Sequence, residues 1–337
     1  MIKVHKKAVT VKRLANDYFG IIWNLAADLD FHASFSGVPR ATSATPCFCW
    51  PVGQKGSALP LNDFRSAPPA PWMNQIRNTE YFRINPSAHP LLNWGPITML
   101  NLTLDWMHCK YLGSDKYLYG GVLHVIMYKL LTGTAQANMV QTWNNLKNIY
   151  ADLDIKARYR VLKLTMFKRN KSGFPELRGR ATEIKHLSKP LLVLWDRGRT
   201  IGDRLHDYIY TALEASYKLD EILDLHRGEY DLPAEAAQRF IKYALQYCQA
   251  CNALYNWDDD KLFNVTYKHH ALLHLAFGSE YESPRLGWCW MGEDYMRLTR
   301  VLISSCMKGI RLDQVNRKSS QKFLRAMDLT NREDYSL

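Results

Sequence analysis

No stretch of this sequence approaches the roughly 20 consecutive apolar residues that a membrane span requires. The longest candidate, Tyr117 to Leu131, is broken by His124 and Lys129. There is no P-loop, no nucleotide-binding glycine fingerprint, no zinc-protease helix and no serine-hydrolase elbow, so the common signatures of those enzyme classes are missing. Internal repeats and low-complexity tracts are also absent. The 7 cysteines are odd in number and scattered, which argues against a disulfide scaffold and for a reducing compartment. Basic residues near the start (Lys3, Lys6, Lys7, Lys12, Arg13) are followed by Asp17, Asp28 and Asp30, which break any signal-peptide pattern. The expected location is nuclear or cytoplasmic, neither secreted nor membrane.

Acids are scarce relative to bases. Against 44 Lys and Arg stand 32 Asp and Glu, a formal net charge of +12. That excess favours polyanionic partners, and nucleic acid is the commonest of these. The same balance also suits a basic protein with no nucleic-acid role. Its 337 residues with 47% hydrophobic content are enough to bury a substantial core in one large or two smaller domains.

Four stretches follow one another. Residues 1–45 open with Ala8-Val9-Thr10-Val11 and Phe19-Gly20-Ile21-Ile22-Trp23, continuous apolar runs that suit strands buried on both faces, and reach Asp28-Leu29-Asp30. Residues 46–100 belong to a stretch, Gly37 to Pro96, that holds ten of the 14 prolines and predicts irregular structure. It ends in the strand-like run Ile97–Leu104. Residues 101–280 then read as mostly helical, with apolar spacings of three and four at Leu118–Leu131, Val140–Tyr150, His206–His226 and Ala234–Tyr255. Residues 281–337 include a last helix from Glu293 to Lys308, with Gly309 as its stop.

Several groups of residues carry candidate chemistry. Asp105-Trp106-Met107-His108 places an acid and a histidine on one face if a helix starts there, although an acid cap beside a histidine is commonplace. Between Lys156 and Arg180 nine basic residues (Lys156, Arg158, Arg160, Lys163, Lys168, Arg169, Lys171, Arg178, Arg180) meet one acid, Glu176, with Tyr159, Phe167 and Phe174 interleaved. Such a segment fits nucleic-acid binding, with cations for phosphates and aromatics for unpaired bases, or a solvated face. Cys248 and Cys251, with the histidines of Lys268-His269-His270 and His274, have the residue types of a zinc site or of a helix packed on a core. Cys47-Phe48-Cys49 is a poor pair for one tetrahedral ion unless other ligands arrive from elsewhere. Asp28 and Asp30 end an apolar run, where carboxylates are costly unless they meet a cation or donors.

Taken in order, these pieces resemble the catalytic region of CACTA-like cut-and-paste DNA transposases, which carry an Asp-Asp-Glu metal site on an RNase H-like core. The segment Asp28-Leu-Asp-Phe-His-Ala-Ser-Phe-Ser-Gly37 resembles the one that carries the family's second catalytic aspartate, and the spacing selects Asp28. Cys47-Phe-Cys49 follows with one residue between the cysteines where the family has two. Asp105-Trp-Met-His108 is similar to the family's acid-x-x-His motif. Phe174 to Glu183 resembles a segment of the helical insertion, and Lys268 to His274 the histidine-rich helix ahead of the last acid. Glu293-Asp-Tyr-Met296 resembles the opening of the final helix.

The resemblance implies an α+β, mostly α fold, a partial RNase H-like core with a large helical insertion. It implies Asp28 and Glu293 as catalytic ligands of Mg2+ or Mn2+, DNA as partner, and self-association. Asp105 and His108 would be helpers rather than metal ligands, while Glu183, His270 and His274 carry motif positions of open role. The family's first aspartate lies upstream of Asp28, where this sequence offers only Asp17. The chain is therefore expected to be inactive in strand cleavage, as a fragment, as one part of a split enzyme, or as a decayed copy. The alternatives are a non-catalytic nucleic-acid-binding protein and a zinc-stabilised interaction module.

Overall fold

The computed structural model describes residues 24–75, 90, 97, 101–167, 173–257, 259–307, 309 and 311–334, without the side chains of 291–297, 312 and 326–334. The apolar runs at 8–11 and 19–23 lie outside the described residues. The chain forms two compact units, Met1–Gly287 and Trp288–Leu337.

In the larger unit the described strands are two, β1 (Leu25–Ala27) and β2 (Leu102–Leu104), paired in parallel. Helix α1 (Leu29–Phe31) follows β1 and runs into a π-helical turn at His32–Ser36, ended by Gly37 at φ 72°. The segment to Gln75 is irregular apart from a 3-10 turn at Pro71–Asn74, as its prolines dictate. It is not loosely attached. Cys47, Phe48, Trp50, Val52, Leu61, Phe64 and Trp72 are buried, and the Trp72 indole donates to the Asp63 carbonyl at 2.8 Å.

After β2 one continuous helical stretch holds α2 (Trp106–Cys109), a π segment (Lys110–Asp115), α3 (Lys116–Val125) and a π turn (Ile126–Leu130). Then come α4 (Ala135–Asp152), α5 (Ala181–Lys185), α6 (Ser188–Gly198), α7 (Arg204–Leu225), α8 (Ala234–Trp257) and α9 (Tyr267–Phe277). Side chains from outside the ladder start two of the longer ones. Thr134 accepts the Ala137 amide at 3.2 Å and Asp203 accepts the His206 amide at 3.0 Å, satisfying donors that the helix leaves open. Helices α7 and α8 pack along their length, burying Ile209, Leu213, Leu219 and Leu223 on one side and Phe240, Ala244, Cys248 and Leu254 on the other.

A charged network lies inside this packing. The Lys110 ammonium donates to Asp115 at 2.8 Å, Asp220 at 2.9 Å and Ser216 at 2.9 Å. The Tyr111 and Tyr247 hydroxyls donate to Asp220 and Asp115 at 2.8 and 3.0 Å. Burial pulls the Lys110 pKa down, but the two carboxylates outweigh it and raise it overall. A buried charge set survives only when its members satisfy one another.

In the smaller unit α10 (Trp290–Met307) and α11 (Leu312–Asp334) pack on each other, with Gly309 at φ 70° turning the chain between them. The Lys322 ammonium donates to the Ser305 hydroxyl at 3.0 Å. The expected final helix thus starts at Trp290 rather than Glu293 and is described to Met307, ahead of the expected Gly309. Among the described residues the protein is mostly α with a small parallel sheet, and no helix is long and apolar enough to cross a membrane.

Candidate functional site

The parallel register pairs Leu25 with Leu102, Ala26 with Thr103 and Ala27 with Leu104. The next residue on each strand is an aspartate, so Asp28 and Asp105 leave the sheet at matching positions. Each caps the helix that follows. Asp28 Oδ1 accepts the Phe31 amide at 2.6 Å, and Asp105 Oδ1 accepts the Met107 amide at 2.9 Å. A carboxylate at a helix start satisfies an open donor and meets the positive end of the dipole. The His32 ring holds the two ends together by donating from Nε2 to the Thr103 carbonyl at 3.0 Å.

Asp105 has a second task. Its Oδ2 bonds His108 Nδ1, with the carboxylate fully buried and the ring 18% exposed. Burial lowers the His108 pKa, but the hydrogen bond and charge of Asp105 more than reverse it, so the net direction is up. Asp28 also acts on His108 and on Lys268, whose own pKa burial pulls down. The Lys268 ammonium donates to the Leu112 carbonyl at 3.1 Å. Its stem crosses Gly113, where a Cβ would stand 2.6 Å from Lys268 Cδ and 2.8 Å from the His108 carbonyl oxygen. Asp28, Asp30 and Asp105 therefore share the edge beyond the strands with His108 and Lys268, the usual place for ligands of parallel sheets. Lys268 is visible in the sequence only as a neighbour of histidines, and its role comes from this packing.

A divalent magnesium centre of the two-ion kind needs bridging carboxylates. Asp105 is committed to Met107 and His108, so among the described side chains of this edge Asp28 and the exposed Asp30 offer open carboxylate oxygens. The described residues do not complete such a centre. Glu293 lies in the first turn of α10, in the other unit, and its side chain is outside the described residues.

A second cluster forms where helix α9 presents His270 and His274, one turn apart, to the irregular segment. Cys47 Sγ and His274 Nε2 are 3.0 Å apart, and one donor atom each from Cys47, His270 and His274 lie within 4.8 Å of one another. Cys47 Sγ also accepts the backbone amides of Cys49 and Trp50 at 3.3 and 3.2 Å. Burial lowers the His270 pKa to about 3 and carries His274 the same way, which keeps the rings neutral near pH 7. A cavity of about 450 Å³ borders the cluster, lined by Phe48, Cys49, Thr103, Leu104, His274 and Tyr281 among others.

The expected partners of those histidines are different. Cys248 and Cys251 belong to no three-donor group among the described residues. Cys248 donates to the His269 carbonyl at 3.4 Å, and burial pushes both thiols up. They are core residues, which is what a spacing of three on an amphipathic helix also provides.

In the basic segment, Arg158, Arg160, Lys163, Arg178 and Arg180 are exposed, while Lys168, Arg169 and Lys171 lie outside the described residues. Two of the three interleaved aromatics point away from the surface, while Phe174 is half-buried with its ring 6.3 Å from that of Tyr255. Tyr159 and Phe167 are buried, and the Tyr159 hydroxyl donates to the Arg178 carbonyl at 3.3 Å. Half-buried Trp143 from α4, with Lys147, Lys156, Arg158, Arg160, Arg180 and the acid Glu183, lines an open groove of about 550 Å³. Glu183 caps α5, accepting the Arg180 amide at 2.8 Å and pairing with its guanidinium at 2.9 Å. Comparisons with protein-family models, curated proteins and solved structures give no match to this chain.

Proposed function

We propose that this chain is a transposase-derived protein that binds nucleic acid, descended from a metal-dependent DNA strand-transfer enzyme of the CACTA-like kind. The observation that carries this reading is the register that ends β1 and β2 together at Asp28 and Asp105. Two motifs far apart in the chain, each matching the family's pattern, thereby meet at one sheet edge. In an RNase H-like core the second catalytic aspartate and the acid-x-x-His motif would end neighbouring parallel strands, and the helical run from α2 to α9 would be the insertion. Asp28 and Glu293 are the ancestral metal ligands under this reading. Asp105 and His108 hold the edge in shape.

The groove with Trp143 and its five cations supports a present role in binding rather than cleavage. Guanidinium and ammonium groups neutralise backbone phosphates, and the half-buried indole at the groove is the candidate for stacking on an unpaired base. Fluorescence anisotropy with labelled duplex and single-stranded oligonucleotides tests the reading. Binding of either at about 50 mM salt, weakened by added salt, is the expected result. No binding to either under those conditions would remove it.

A further inference from the structure

We propose that Cys47, His270 and His274 are the protein ligands of one divalent transition-metal ion, and that zinc is the ion this donor set takes. The inference is independent of the nucleic-acid reading.

His270 is 0% exposed, and neither of its ring nitrogens has a hydrogen-bond partner among the described residues. Buried polar atoms in folded proteins are almost always bonded, so a ring with both nitrogens unmatched calls for a ligand that the described residues do not supply. A metal ion satisfies one of them directly. The ring cannot be explained as one that merely hydrogen-bonds its neighbours. Its contacts are the ring systems of Trp50, Trp72, Tyr267 and His274, at centroid distances of 4.6 to 5.8 Å.

The donor geometry fits. Zinc binds sulfur at about 2.3 Å and imidazole nitrogen at about 2.0–2.1 Å, which spaces tetrahedral ligand atoms roughly 3.3–3.7 Å apart. The three atoms here lie within 4.8 Å of one another, with one pair at 3.0 Å, so small side-chain adjustments seat the ion. Histidines four apart on one helix face share an ion naturally. The two amides that point at Cys47 Sγ suit a thiolate better than a thiol, because hydrogen bonds strengthen when the acceptor is ionised. Sulfur with two imidazoles selects zinc-like ions and disfavours magnesium or calcium, which take oxygen. The bound ion would fasten the proline-rich segment to α9, joining Cys47 to His274 across 227 residues of chain.

The test uses the full chain purified from zinc-supplemented medium. One zinc per chain by elemental analysis is expected, and replacement by Co2+ should give tetrahedral ligand-field bands with a thiolate-to-metal charge-transfer band. Cys47→Ala should abolish the charge-transfer band, and His270→Gln should lower zinc affinity at least about tenfold, while Cys251→Ala keeps both zinc and spectrum. Should a variant fold poorly, Co2+ titration of the chelator-stripped wild-type chain decides the matter alone. Substoichiometric zinc with no sulfur charge-transfer band in the wild type would overturn the proposal, as would a spectrum that survives Cys47→Ala and disappears in Cys251→Ala.

Discussion

Replacing Asp105 separates its two jobs, because its oxygens serve different partners. Asp105→Ala removes the cap on Met107 and the partner of His108. Asp105→Asn keeps a capping oxygen, since asparagine caps about as well as aspartate, and removes only the charge facing His108. The cap contributes about 0.5–2 kcal/mol, and a hydrogen bond to a charged group about 1.5–3 kcal/mol. The Asp105→Asn variant should therefore lose about 1.5–3 kcal/mol where His108 is protonated, and the Asp105→Ala variant about 2–5 kcal/mol. Pairing raises the folded pKa of His108 above its unfolded value of about 6.5. The sign follows from linkage: the charge-dependent stability is complete below about pH 6.5 and is lost as pH rises through the folded value. Above it the neutral ring can accept from the introduced side-chain amide by changing tautomer, so the Asp105→Asn variant should approach the wild type. Urea unfolding at several pH values between about 6 and 9 reads this directly. A gap between wild type and Asp105→Asn that does not narrow with rising pH would refute the assignment of His108 as the charged partner.

Lys110→Met should cost about 3–5 kcal/mol in urea unfolding, because it strands the buried Asp115 and Asp220. Adding Asp115→Asn and Asp220→Asn should recover part of that loss, and further destabilisation would contradict the charge argument. Gly113→Ala should cost about 1–3 kcal/mol, since the new Cβ meets a backbone oxygen as well as the Lys268 stem; an unchanged denaturation midpoint would show that the stem moves freely. Incubation with DNA and Mg2+ should give no cleavage, because under the proposed reading Asp28 and Glu293 are only two of the carboxylates a two-ion clamp needs and Asp105 is committed elsewhere. Cleavage that disappears in Asp28→Asn, a variant that keeps the helix cap, would contradict this.

Much of the helical architecture is legible in the sequence. The three- and four-residue apolar spacings find α3, α4, α7 and α8 with ends displaced by a few residues. Helix α6 escapes because Pro190 sits in its first turn, where proline is tolerated but reads as a break. Helix α9 is expected at Lys268 to His274 only through the resemblance, because nearly all its faces are buried, leaving little amphipathic contrast for the apolar spacing to find, and α11 escapes because it is so rich in charge. The π segments have no sequence signal at all. At the candidate site, Asp105 and His108 are legible because their contact is local. The pairing of His270 and His274 with Cys47 is not, because a lone sequence carries no information on which distant segment packs on a helix. The same limit explains why Tyr159 and Phe167 read as a surface although they face inward, and why Trp143 goes unnoticed.

The central claim is that the exposed cations of the 156–180 segment hold nucleic acid through its phosphates. It is tested most directly by the salt dependence of oligonucleotide affinity for the wild type and for an Arg158→Ala, Arg160→Ala, Lys163→Ala variant. Each phosphate contact contributes a slope of about 0.7–0.9 in log K against log salt, so the variant should lose about 2 to 3 from the wild-type slope. Lys242→Ala, an exposed change on α8, should leave the slope as it is. Equal slopes for the triple variant and the wild type would contradict the claim.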